Sequence, residues 1–136
     1  ADHRRQDSLL LRLALAEQAA GRAGEPSAAA SADGHTRHLA LRFAEMRLRG
    51  DRSHLRDEAL FELDLRGDPA AALSRMTESW AVQRDPVDAR LLLRAARAAG
   101  QPGAAGVVTA WIASTGVRDR RLDAERAAWH PPLPPR

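Results

Sequence analysis

Three arginines, Arg90, Arg94 and Arg97, stand at i, i+4 and i+7 in a segment whose other positions are mostly leucine and alanine, so they form one basic stripe of a helix. Guanidinium forks in such a row can grip an acidic peptide segment or a terminal carboxylate through bidentate contacts. Each has a counterpart 33 residues earlier: Asp57 for Arg90, Phe61 for Arg94 and Asp64 for Arg97. On neighbouring helices about 8–10 Å apart, these pairs would instead satisfy one another as two ion pairs and a cation–π contact. Each would be worth roughly 0–1 kcal/mol at an exposed surface.

Other chemistry is thinner. His35 and His38 lie one turn apart and His54 begins a later segment, but no carboxylate–histidine motif of a known metal type accompanies them, and no metal or cofactor is expected. A nucleic-acid face would draw on Arg37, Arg42, Arg47, Arg49, Arg52 and Arg56, or on Arg118, Arg120, Arg121 and Arg126. Glu45, Asp51, Asp57 and Glu58 interleave with or follow the first set, and aromatic stacking platforms are scarce. A solvated mixed-charge face is the expectation. No glycine-rich phosphate loop, nucleophile elbow, HExxH or paired-carboxylate arrangement stands out, so an enzyme is not expected.

The charge balance agrees. The sequence pI is about 11, yet 21 basic residues face 18 acidic ones, for a net charge of +3. All the bases are arginine, and with no lysine, tyrosine or cysteine to titrate above neutral pH, a small excess drives the pI upward. The lack of asparagine and the single isoleucine, Ile112, suggest a compositional bias of the source genome. Zero cysteines exclude disulfides and thiolate chemistry and leave the compartment open. The longest uncharged stretch, 98–117, is broken by Gly100, Pro102 and Gly103, so it reads as a buried helix and not a membrane span. The chain starts at Ala1 without a methionine, which points to a processed protein or a piece of a longer one.

The elements that must position these groups are all helical. Apolar residues recur at helical spacing and no window alternates as a strand would. The first helix is expected over about 8–20, with Leu9, Leu10, Leu13, Ala16 and Ala20 on its buried face and Gly21 as its stop. Residues 22–34 are small, polar and proline-containing, and read as a flexible loop. Six more helices follow at about 36–49, 54–66, 69–84, 87–99, 102–115 and 119–129, with Leu73, Met76 and Trp80 striping the fourth of the seven. The tail, 130–136, carries Pro131-x-x-Pro134-x-Arg136, a minimal pattern for polyproline II recognition, and reads as disordered.

The boundaries repeat. Gly34, Gly67 and Gly100 stand 33 residues apart, while Asp51, Asp85 and Asp119 stand 34 apart. Gly67-x-Pro69-x-Ala71-Ala72 recurs as Gly100-x-Pro102-x-Ala104-Ala105. Over about residues 35–116 the chain resembles the tetratricopeptide repeat family, whose helix-turn-helix units stack into a right-handed superhelix. Gly67 with Ala72, and Gly100 with Ala105, match the glycine that ends the first helix and the small residue five positions on. Met76 and Ser79 fit the next family positions. Thr109 and Ile112 depart from them, Leu60 and Leu93 replace a small residue, and Pro86 comes two positions late.

The resemblance implies an all-α, right-handed α-solenoid of about seven helices, forming one domain over 1–129. Its groove-lining face would carry His54, Asp57, Phe61, Asp64, Arg90, Arg94 and Arg97. The function implied is a non-catalytic protein–protein interaction scaffold that takes a peptide or helix, acidic in character. The carboxylate clamps of chaperone adaptors use lysine and asparagine, both absent here. A rival reading is self-association, in a homo-oligomer or a larger protein, through the uncharged helix from Pro102 to Thr115.

Overall fold

The computed structural model describes residues 2–129, with side chains from residue 3, and the expected disordered tail at 130–136 lies outside them. Within the described residues the chain is all-helical. The helices are α1 (Asp2–Arg22), α2 (Pro26–Leu48), α3 (Leu55–Leu60), α4 (Pro69–Trp80), α5 (Pro86–Ala98), α6 (Gly106–Thr115) and α7 (Arg120–Ala128). A π turn, Phe61–Leu65, prolongs α3, and a 3-10 turn, Pro102–Ala105, leads into α6. Among the described residues no helix is long and apolar enough to cross a membrane.

Local chemistry explains most boundaries. Asp68, Asp85 and Asp119 cap α4, α5 and α7 by accepting from the backbone N–H of Ala71, Asp88 and Leu122, with Pro69 and Pro86 in the first turns. Asp51 shares their spacing but caps no helix: its carboxylate takes the backbone N–H and hydroxyl of Ser53 instead. Gly67 and Gly100 take positive φ values of 63° and 66°, the left-handed conformation that ends a helix. After Gly100 the match to the Gly67 segment weakens. Gln101 makes no side-chain cap, and Gly103 and Gly106 are poor helix formers, so only a 3-10 turn forms before α6.

The expected loop at 22–34 is corrected. Only residues 23–25 lie outside helix there, and α2 runs unbroken from Pro26 through Gly34. Pro26 opens a helix at its first turn, and the alanines that follow are the strongest helix formers available. Gly34 is therefore a helix interior and not a stop, and the third member of the 33-residue series has no structural role in it. The expected buried face of α1 is corrected too. Leu9 and Leu13 are exposed, whereas Asp7, Leu11 and Ala14 face inward, because α2 and the π turn approach from the adjacent side.

Two clusters form the core and meet at Leu60. One gathers Leu11, Ala14, Leu39, Phe43, Met46 and Phe61 between α1, α2 and the end of α3. The other runs through α4, α5, α6 and α7 with Leu73, Met76, Trp80, Leu92, Val108 and Leu122, and Trp111 meets Trp80 edge-on at 5.4 Å. Leu73, Met76 and Trp80 thus bury the stripe their spacing predicts. Helix α1 packs on α2, α3 on α4, α4 on α5, and α5 on α7.

Gly21 and Gly34 separate the two roles a helical glycine can have. A Cβ on Gly21 would sit 2.8 Å from the Ala29 Cβ and about as close to the Ala29 backbone, whereas one on Gly34 meets only the tip of Arg37 at 4.0 Å. Gly21→Ala is expected to destabilise the fold by about 1–3 kcal/mol by forcing α1 and α2 apart. Gly34→Ala should stabilise it by up to about 1 kcal/mol. Urea unfolding of the two variants checks the opposite signs.

Candidate functional site

The residues expected to line one face divide into three groups. Asp57, Arg90 and Arg94 come together on the wall of a cavity of about 410 Å³ between α3, α5 and α7. Asp64 and Arg97 lie beside it in ion pairs. His54 and Phe61 do not face it, being 5% and 1% exposed.

The pairing expected at 33-residue spacing is displaced. Arg94 donates to Asp64 at 2.7 Å, so Asp64 is met by an arginine one turn earlier on α5 than Arg97. Arg97 instead reaches α7, where it pairs with Glu125 at 3.0 Å. Asp57 accepts from Ser8 of α1, and Phe61 packs against Phe43 at 5.2 Å with Arg66 over its ring. Asp64 lies within the π turn, whose Arg66 N–H bonds to the carbonyl of Phe61, five residues back, so the 3.6-residue period on which the expected alignment rested is broken there. Asp57 precedes the turn and is engaged by Ser8 of α1 instead.

The apolar part of the lining is Leu60 of α3 with Pro86, Val87 and Leu91 of α5, of which Leu91 is buried and Val87 exposed. The charged wall adds Arg56, Asp119 and Arg121 to the residues already placed. Arg56 grips Asp88 through Nε at 2.7 Å and a terminal nitrogen at 3.0 Å, and reaches Asp85 at 2.6 Å. The bond to Asp88 is the main reason the guanidinium holds its proton more tightly than usual. Asp88 is fully buried, and desolvation pushes its carboxyl above the ordinary range against the pull of Arg56. At Asp85 burial acts in the same direction but is outweighed by the Asp88 backbone N–H and Arg56, so its carboxyl lies below the ordinary range.

Arg90 and Arg121 are left with no ion pair among the described residues. Arg121 and Arg56 belonged in the sequence to sets that suggested nucleic acid. Arg56 reaches this wall because α3 packs against α5, and Arg121 because α7 folds back onto α5, which no local pattern announces. His35, of the histidine pair, contacts Glu17 at 2.8 Å. Among the described residues no group of three or more histidines and acids could hold a metal ion.

Comparison with family models, with curated proteins and with solved structures finds no match to the chain.

Two consequences can be measured. Asp88→Ala removes a buried carboxylate and leaves Arg56, a third exposed, held by Asp85 alone, and should cost about 1–3 kcal/mol in denaturant unfolding. Asp64→Ala breaks a partly exposed pair and should cost below about 1 kcal/mol.

The second consequence concerns His54, stacked on Phe43 at 5.8 Å. Desolvation keeps its pKa below the ordinary histidine value and Arg4 adds to the effect, against Asp51, Asp57 and Asp7. The unfolded chain takes up a proton below about pH 6.5 that the folded chain refuses until its lower pKa is reached. The stability owed to neutral His54 is therefore full above that pH and declines as pH falls through the folded-state value. The urea midpoint should drop between about pH 7 and pH 5. The drop should be shallower in His54→Phe, and an equal drop would assign the effect to other groups.

Proposed function

We propose that this chain is a right-handed stack of antiparallel helix hairpins, tetratricopeptide-like, that works as a non-catalytic protein-interaction scaffold. In this reading α1, α3, α5 and α7 line the groove and α2, α4 and α6 back it. The cavity between α3, α5 and α7 takes an apolar side chain from an acidic peptide segment. One observation carries the reading: an apolar lining of Leu60, Val87 and Leu91 lies beside two arginines, Arg90 and Arg121, that no described carboxylate neutralises. The apolar lining supplies area and the guanidiniums supply orientation, as in peptide grooves generally.

Nucleic acid is the weaker reading. Arg42, Arg47, Arg52 and Arg56, four of the six arginines that could form its face, are engaged by Asp7, Glu58, Glu78 and the Asp85/Asp88 pair. Guanidiniums held by carboxylates release few counterions on meeting phosphate. Self-association has a specific observation in its favour, because α6 carries no charge, buries only Val108 fully and leaves Val107 51% exposed.

The test is a fluorescence-polarisation screen of peptides that place Leu or Phe between runs of Asp and Glu. Arg90→Glu/Arg121→Glu should weaken the best binder at least about tenfold at constant helicity. A binder insensitive to that change, or no binder at all, would sink the groove reading. Sedimentation across concentration checks the rival: a dimer broken by Val107→Glu would replace the scaffold with a self-association module.

A further inference from the structure

The junction of α2 and α3 holds a second cavity, of about 440 Å³, that shares no wall residue with the first. His3 and Arg4 from the first turn of α1, Arg42 and Arg49 from α2 and its C-cap, and the connection from Asp51 to His54 build its wall. His54 is 5% exposed, and neither ring nitrogen has a hydrogen-bond partner among the described residues. Its position is enforced, because the ring stacks on Phe43. A buried polar group held in place without a partner calls for one in the adjacent space.

The charges around it are of two kinds. Arg42 is neutralised by Asp7 through a two-pronged contact at 3.1 and 3.0 Å. Arg4 and Arg49 are exposed and in no ion pair with a described residue. Asp51 has one carboxylate oxygen taken up by Ser53, at 2.9 and 2.6 Å, and Glu45 stands on the rim. Guanidiniums alone would accept any anion. Guanidiniums beside carboxylates favour an oxyanion that still carries a proton, whose O–H can donate to the carboxylate while its charged oxygens face the arginines. A phosphate group, with its second pKa at about 6, keeps part of its population in that form near neutral pH, and sulfate does not.

We propose that this cavity is a binding site for a phosphate group. Arg4 and Arg49 take the anionic oxygens, and neutral His54 donates one ring N–H from the floor. The free oxygen of Asp51, or Glu45, accepts the proton that the ligand retains.

The probe is the nitrogen-correlated histidine spectrum of the chain near pH 6.5, titrated with sodium phosphate, methyl phosphate or sodium sulfate at matched ionic strength. The expected result is a saturable shift of the His54 signals with phosphate or methyl phosphate and none with sulfate. A response to inorganic phosphate alone identifies the free ion as ligand, and a response to methyl phosphate identifies a phosphomonoester. Arg4→Ala and Arg49→Ala change exposed side chains and should each weaken the response about tenfold with circular dichroism unchanged. No saturable shift with either phosphate, an equal response to sulfate, or a response that survives both arginine variants would each overturn the proposal.

Discussion

Each of α1, α3, α5 and α7 buries one carboxylate, and an arginine from a neighbouring helix meets each of them. Asp7 is held by Arg42 of α2, Asp88 by Arg56 of α3, and Glu125 by Arg97 of α5. Glu58, fully buried, lies between Arg47 of α2 and Arg75 of α4. Taking a charge out of water costs several kcal/mol, and only a close partner with good geometry returns most of it. Asp7 and Asp88 accept two hydrogen bonds each from their arginines, whereas Glu58, and Glu125 through Oε1, are within ion-pair reach of theirs without a hydrogen bond. Buried pairs of this kind add little net stability over an apolar core, but they make any displacement costly, since sliding one helix strands a charge. The chain is rich in alanine, whose small side chains specify packing weakly. Its helix positions therefore depend on the four clasps.

The clasps also determine what is left for binding. Arg56 reaches across from α3 to Asp85 and Asp88 and so closes one side of the cavity between α3, α5 and α7. Arg94 is engaged by Asp64 and Arg97 by Glu125, so of the three-arginine stripe on α5 only Arg90 remains unpaired among the described residues. The π turn at Phe61–Leu65 bears on two of the expected face residues. It gives Phe61 to the cluster of α1 and α2, where Phe43 receives it, and brings Asp64 to Arg94. A regular α-helix at that point would space these groups differently.

Stability is distributed unevenly. Helices α1 and α2 meet closely where Gly21 faces Ala29, and α4 and α5 share the larger core cluster. Helix α6 is the least covered of the apolar helices, with only Val108 fully buried and Trp111 half-buried against Trp80. Trp129, half-buried just after α7, packs on the same cluster and closes that end of the described chain.

The helical class and most boundaries were legible in the sequence, because capping and turn chemistry are local. Asp68-Pro69, Asp85-Pro86 and Asp119 begin helices, and Gly67 and Gly100 end them, through bonds that span a few residues. The same local reading misjudged 22–34, where a proline and small residues look like a loop until alanine's helix preference and Pro26's first-turn position are weighed. It misjudged the α1 face as well, since Leu9 and Leu13 are as periodic as Leu11 and only the approach of α2 decides between them. The candidate site was half legible: Asp57, Arg90 and Arg94 share its cavity, and Arg56 and the apolar residues that join them lie on the same two helices, while Asp119 and Arg121 arrive from α7 and its cap. Tertiary structure alone decided which arginine meets which carboxylate, because each partner comes from another helix packed against it, and at Asp64 the wide turn also breaks the period that would have aligned it.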